Sequence, residues 1–475
     1  LPFTSTEFDR DTIRDAAIAQ PQKLLNKVPG VSVNNYNLGG IADVISIRGF
    51  SGGAHGGNLG FVLDGIPLNE AMSHADGYAD MNVVIPLELE SMTVYKGPTS
   101  ILHGNFNRAG LIEMRTRKSG DYREADVSVG SFSTVDVQGA MGVKTQEGQF
   151  NGALQLGHTD GFRRDSTFDK QTIAGRYDFV INQDLDIAVS GRAYSGRWDS
   201  ASYVTQEQFR RDPYGVDPRV VKDGGKKDFY TGRVDANYAI SNSLKLLSFA
   251  YATQQTLTRW YTRPTTTIPT NPWSQREEAY DRSVLGAGVN LNGQISLENE
   301  SMLNWIAGIE TYRESTAYQY YDGEIARSRA GLNAINNRTY KFNNNGAFVE
   351  AQWVPTQLFR PTVGLRYDTF SGNCVKNGAE TSTTSCTKMD DYSNLSPKVG
   401  VRSTVAKGVD LRASWTRGFG LPPVGAIYTQ NANLSPNLFR QLEVGGVFSL
   451  ASNLRADLAW YELLSTNEVG VVGGV

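Results

Sequence analysis

From about Glu124 onward, apolar and polar positions alternate with a period of two, the signature of strands that show different surroundings on their two faces. In 230–240 one face reads Tyr230, Gly232, Val234, Ala236, Tyr238, Ile240, and the other Thr231, Arg233, Asp235, Asn237. Segment 409–417 sets Val409, Leu411, Ala413 and Trp415 against Asp410, Arg412, Ser414 and Thr416, and 347–353 repeats the pattern. Residues 1 to about 119 have another texture. Asp9 or Asp11 can cap a helix carrying Ile13, Ala16, Ala17, Leu24 and Leu25, which ends before Pro29-Gly30. Short strands follow at 31–33, 44–47, 60–63, 92–95 and 111–116, with Asp64-Gly65 and Gly97-Pro98 as turns. The pattern predicts a mixed α/β unit over 1–119 and an all-β unit over 120–475 whose connections carry no helix.

Alternation alone fits a soluble sandwich with its apolar faces inward, or a membrane barrel with those faces turned to lipid. The connections separate the two. About 15 strands fit between Glu124 and Leu464, and after the first hairpin their links alternate in length. Short links such as 145–148, 182–184, 241–243 and 406–408 are interleaved with long polar ones such as 199–227, 317–338, 371–391 and 418–437. Short turns on one rim and long loops on the other belong to outer-membrane barrels. The long loops are then exterior and the short turns periplasmic. An odd count near 15, where plugged barrels have about 22 strands, predicts an unclosed barrel.

Composition is compatible with this reading without requiring it. The mean hydropathy is −0.36, and no stretch reaches the roughly 18 apolar residues of a spanning helix. Lys+Arg 46 against Asp+Glu 49 leaves no basic excess for a nucleic acid. Cys374 and Cys386 lie in one polar stretch, where they are either a disulfide of an oxidising compartment or two reduced loop thiols; an envelope location favours the disulfide. No H-x3-H or C-x2-C spacing suggests a resident metal, and no cofactor is implied. Gly49-Phe50-Ser51-Gly52-Gly53 fits the G-x-S-x-G pattern of hydrolases, but a glycine-rich loop follows where that motif needs a helix. No enzyme is expected. The first residues lack the pattern of a signal peptide and the end lacks a closing element, so the sequence reads as a fragment.

Several segments resemble the TonB-dependent outer-membrane transporter family, in its order and over nearly the whole chain. They are Leu24–Val33, Ile45-Ser46-Ile47-Arg48-Gly49-Phe50, Phe61-Val62-Leu63-Asp64-Gly65-Ile66-Pro67, and Leu89–Pro98 with Lys96-Gly97-Pro98. Leu395–Gly400, Ser414–Phe419 and Asn433–Pro436 follow in the all-β part. Ala109–Met114 departs from the G-G-x-I-x-I usual for the last plug strand. The resemblance implies a plug inside a barrel of a Gram-negative outer membrane. It also implies a periplasmic TonB-type partner whose contact box would precede Leu1, and uptake of a scarce nutrient, most often a ferric siderophore. Cobalamin, haem or saccharide cargo, a signalling receptor, a passive porin and an outer-membrane hydrolase are the alternatives.

The family sets two plug cations against two barrel glutamates, which here fall on Arg48, Lys96, Glu350 and Glu443. Both glutamates lie on the polar face of their strands. The competing reading is lumen charges solvated by water with local contacts only. Ligand is expected at outward plug loops, with Asn35, Tyr36, His55, His74 and Tyr78 as candidates, since aromatic and hydrogen-bonding groups on loops over a rigid scaffold suit a bulky polar chelate.

Overall fold

The computed structural model describes residues 2–35, 39–41, 43–50, 57–75, 77–264, 273–298, 301–323, 327–422, 427–428, 434–451 and 453–468. The leading unit holds β1 (Ser5–Asp9), β2 (Val31–Asn34), β3 (Val44–Ile47), β4 (Leu59–Leu63), β5 (Ile66–Pro67), β6 (Leu89–Lys96) and β7 (Gly110–Thr116). Five of these form a mixed sheet in the order β1-β6-β7-β4-β5, with β4 parallel to β7, while β2 and β3 pair separately. Its core is dry: Ile47, Leu59, Val94, Ile112 and Met114 are fully buried. The single predicted helix is two elements. Helix α1 (Arg10–Asp15) is capped by Asp9, whose Oδ1 accepts from Thr12 N at 2.9 Å. The chain then turns through Ala17 at φ +46° and resumes as a 3-10 turn at Pro21–Lys27. Pro21 would place a ring in the preceding helical turn and has no N–H to donate, so the helix cannot run through it. Strand β1 escapes the sequence pattern because Ser-Thr-Glu-Phe-Asp is a polar edge strand, ordered by pairing with β6.

Fifteen strands, β8 (Tyr122–Gly130) to β22 (Leu454–Thr466), form one antiparallel sheet in strict chain order with β8 and β22 at its edges, so the sheet is open. Count and openness agree with the alternation of loops. The strands outrun their predicted lengths on the long-loop side: β14 (Leu244–Pro264), β15 (Trp273–Ser296) and β16 (Met302–Gly323) have 21, 24 and 22 residues. A tilted strand crosses a bilayer in about 9–11 residues, so their upper halves stand in water. There both faces are polar, and segments such as Trp273–Glu278 read as loop. The 200–223 connection also carries helix α2 (Gln206–Arg211), contrary to the helix-free expectation. Thr205 and Gln208 form a reciprocal capping box that supports this single short helix.

Burial along the wall is inverted. Ile173, Leu285, Ile309 and Val363 are each about 60% exposed, whereas Arg366, Asp368, Gln441 and Glu443 on the opposite face are at most 1% exposed. A continuous apolar belt of this size is untenable in water and natural against lipid. The leading unit fills the bore. Its core cluster continues into Tyr194 and Phe229 of the wall, which places β12 (Leu185–Asp199) and β13 (Gly224–Ser241) against it.

Candidate functional site

Many polar contacts hold the plug in the bore, and three sets of them centre on buried carboxylates. Arg48 sits on the turn after β3, at φ +54° with Gly49 at +84°, a left-handed pair that aims its side chain at β21 (Asn437–Ala451). Its Nη2 lies 2.6 Å from Glu443 Oε2, and its Nη1 donates to Gln441 Oε1 at 2.8 Å. The guanidinium lies 3.8 Å from the ring centre of Tyr461. Glu443 also accepts from Thr4 N at 2.9 Å and faces Arg412 at 3.5 Å, so one fully buried carboxylate ties two plug segments to the wall.

The other two expected lock residues need correction. Among the described residues Glu350 meets no plug cation: its partner is Lys398 of the wall, whose Nζ reaches across to the carbonyl of Thr99 in the plug at 2.9 Å. A wall lysine two strands away satisfies the glutamate first. Lys96 makes no ion pair within 4.0 Å among the described residues; its carbonyl, not its ammonium, meets the wall, accepting from Gln441 Nε2 at 3.1 Å. Burial and the nearby Arg48 charge pull the Lys96 amine below its ordinary pKa.

The second set was invisible in the sequence. Lys227 lies 3.1 Å from Glu70 and 3.2 Å from Asp80, and Gln255 donates to Glu70 at 2.7 Å. Glu314, paired to Arg282 at 3.0 Å, accepts from Ala71 N and Met72 N. Burial alone would raise the Glu70 carboxyl, but Lys227 and Arg282 hold it below its ordinary value. In the third set Arg192 pairs with Glu88 at 2.7 Å and donates to the carbonyl of Val83 at 2.9 Å. Burial outweighs Arg192 at Glu88, whose carboxyl is raised. The only signal was a polar residue at every second wall position, which does not name partners.

Above the plug, its loop 69–80, the upper wall and the outer loops meet in an aromatic cluster including Tyr78, Tyr280, Tyr318, Tyr340, Phe370 and Tyr428. Tyr280 stacks on Tyr318 at 4.9 Å. Next to them Arg276 lies 4.1 Å from the Tyr320 ring and donates to Tyr261 Oη at 2.6 Å, while Arg263 donates to Tyr320 Oη at 2.9 Å. Arg259, Arg263 and Arg276 share two nearby carboxylates, Glu278 and Asp322. This wall can receive an anionic, oxygen-rich ligand through guanidinium forks and phenol rings.

Of the candidate ligand residues, Tyr36 and His55 lie outside the described residues. Asn35 is exposed beyond β2. His74 is half-buried, 4.6 Å from the ring of Tyr78. Tyr78 itself is fully buried in the cluster and has no surface to offer while loop 69–80 is clamped, a correction of its proposed role. Sequence reasoning passed over the plug loop 97–109, whose apex reaches the outer loops: Arg108 donates to Leu421 O at 3.1 Å, and Asn105 accepts from Leu421 N at 3.3 Å. His103 in this loop is pushed down to about 4 by burial, with Arg366 adding to the shift, and is neutral at physiological pH. Cys374 and Cys386 are joined as a disulfide with Cα atoms 5.1 Å apart, and Cys374 N donates to Thr387 O at 3.1 Å.

Known proteins match most of the chain. The family described as "TonB-dependent Receptor Plug Domain" matches residues 1–111, and "TonB dependent receptor-like, beta-barrel" matches residues 150–474. A vitamin B12 transporter, BtuB, of Vibrio vulnificus strain YJ016 is 22% identical over 440 residues, 89% of this chain and 60% of that protein. The chain therefore spans less than two thirds of that relative's length. The ferric citrate transporter FecA in its unliganded form shares the fold with a TM-score of 0.82 at 15% identity, covering 97% of this chain and 69% of that one. The siderophore receptor PiuA of Acinetobacter baumannii superimposes with a TM-score of 0.77 at 15% identity, over 97% and 72%. Matched in both its plug and its barrel, the chain belongs to the TonB-dependent receptor family, whose members are Gram-negative outer-membrane proteins and not enzymes.

Proposed function

We propose that this protein takes up a ferric siderophore, or an anionic chelate of that kind, across the outer membrane, with a periplasmic TonB-type protein supplying the pull that moves the plug. The observation that carries the reading is the upper wall, where Arg259, Arg263 and Arg276 interleave with Tyr261 and Tyr320 and outnumber the carboxylates that neutralise them. A ferric chelate with anionic oxygens on its surface meets both charge and ring contacts there. The three polar clamps support a plug that is seated yet displaceable, because buried ion pairs fix geometry while contributing modest net stability. Arg48 with Glu443 acts as the central lock, and Asn35 and His74 are offered as ligand contacts on the plug side.

Cobalamin is a second reading, favoured by the vitamin B12 transporter that aligns with most of the chain. The deciding measurement is competition between radio-iron chelates and labelled cobalamin for whole-cell uptake and surface binding by the full-length protein. Import of an anionic ferric chelate abolished in the double variant Arg263→Ala/Arg276→Ala supports the siderophore reading. Import of cobalamin but of no iron chelate would replace it.

A further inference from the structure

A cavity lies between the plug hairpin Leu63–Ile66 and strands β10 (Gly148–Thr159) to β13, on the half of the bore nearer the short turns. The hairpin turn Asp64-Gly65 has both residues at positive φ, +48° and +81°, which bends it tightly over the wall beside Arg233. Every buried side-chain atom lining this cavity that lacks a hydrogen-bond partner is an N–H donor: Arg117 Nε and Nη1, Asn151 Nδ2, and Arg233 Nη1. Among the described residues, no buried side-chain acceptor of the lining lacks a partner. Asn151 and Arg117 are 5% and 3% exposed, and the Arg233 side chain is 10% exposed. Unpaired buried donors are costly, and three residues converging on one hollow define a volume shaped for oxygen acceptors.

The charges limit how tightly it can hold them. Arg117 already pairs with Glu124 at 2.6 Å, Arg192 with Glu88 at 2.7 Å, and Arg233 with Asp235 at 2.7 Å, while Arg176 engages Asp178 and Asp235. Their remaining faces rest on aromatic rings, Arg117 over Tyr122 at 4.1 Å and Arg233 over Phe249 at 4.4 Å. With each arginine paired in place, and the lining carboxylate Asp64 held by Thr116 N at 3.0 Å, the site offers directed hydrogen bonds and no excess of positive charge. That combination binds and releases. A second, more aromatic cavity lies on the other side of the same hairpin, lined by Gly65, Pro67, Phe249, Tyr251 and Tyr312, so Arg233 and Phe249 stand between the two.

We infer that the arginine-lined cavity is a binding site for an oxygen-bearing anionic group, carboxylate or hydroxamate in type, that cargo occupies after leaving the outer chamber and before reaching the short-turn side. The passage role rests on the transport reading above; the site itself does not.

Selenate, a tetrahedral oxyanion with an anomalous signal, is the probe for the site. Crystals of the full-length protein soaked in selenate are expected to show it within hydrogen-bonding distance of Arg117, Asn151 and Arg233. Asn151→Asp keeps the acceptor that Tyr122 Oη uses at 3.0 Å but replaces the free donor by a like charge, so it should weaken selenate binding about tenfold or more, the factor equivalent to about 1.4 kcal/mol. In cells the same variant should bind cargo at the surface like wild type and import it several-fold more slowly. Water alone in the soaked cavity, or equal selenate binding by Asn151→Asp, would overturn the site. Selenate binding with wild-type import by Asn151→Asp would mark an adventitious ion only and overturn the passage role. Absence of any import by the wild-type protein would fail the transport reading instead, while the soaked crystals still decide the site.

Discussion

In the plug, Ile47, Leu59, Val94 and Ile112 are hidden while Arg10, Asp11 and Asp15 face outward; in the wall around it, Leu285, Ile309 and Val363 face outward while Arg366, Asp368 and Glu443 are hidden. The two units use one set of amino acids under opposite solvents. The plug is stabilised as a soluble domain is, by removing apolar surface from water at roughly 25 cal/mol per Å². The wall gains nothing comparable, because its apolar belt meets lipid. Its strands are held by backbone hydrogen bonds that no water can replace in the bilayer. Where the two meet, neither logic applies alone, and the interface combines buried ion pairs and side chain to backbone bonds with apolar contacts such as those of Tyr194 and Phe229.

The sharpest way to break this comparison is at the meeting point. Glu443→Ala leaves Arg48 buried without its carboxylate and Arg412 with Asp457 alone, and should destabilise the seated plug by about 3–5 kcal/mol. Chemical denaturation followed by a fluorophore on the plug checks it; a loss under 1 kcal/mol would mean that Arg48 is water-solvated, as the competing sequence reading has it. Next is the lipid face. Ile309→Arg should cost about 2–4 kcal/mol in lipid bilayers, whereas a soluble sandwich would tolerate an exposed arginine there without penalty. Folding in liposomes, titrated with urea, distinguishes them.

Lys96→Met tests the correction to the lock. With no ionic partner to strand, its loss should change stability by less than about 1 kcal/mol, and a cost near that of Glu443→Ala would restore Lys96 to the lock. The smallest effect belongs to the outer loops, where Glu380 is clamped by Arg338 at 2.7 Å and Lys376 at 2.8 Å. Burial would raise this carboxyl, but Arg338, Lys376 and the Asn337 N–H hold it down at about 2 against an ordinary 4.5. Because the folded pKa is depressed, the clamp contributes fully above pH 4.5 and is lost as pH falls from there through about 2. Protection factors of the amides in 381–387, taken against the intrinsic exchange rate at each pH, should fall across that window, and unchanged protection would show that the disulfide alone orders the loop.

Much of this was legible in the residues, for identifiable reasons. Period-two alternation with sorted loop lengths gave the strand count, because lipid and lumen impose opposite chemistry on successive residues. Arg48 and Glu443 could be set together from their motifs. Glu350 could not be assigned, since its partner Lys398 comes from the neighbouring wall and not from the plug. Tyr78 looked like a loop aromatic and is a core residue, because the Glu70–Lys227 and Glu314 clamps press its loop into the wall. The upper strand halves read as loops because their outer face meets water instead of lipid, which erases the alternation that marked the lower halves.

The order of apolar and polar residues thus determined by itself that there are two units, that one wears its apolar side chains outward, and which rim carries the long loops. These are properties of local period and of the order of short and long links along the chain. Only the tertiary structure decided which charges pair across the interface, which aromatic residues are sealed, and where unpartnered donors converge on a cavity. Such pairings join residues such as Thr4 and Glu443 that lie at opposite ends of the chain. They depend on distances of a few ångströms, which no periodicity along the chain encodes.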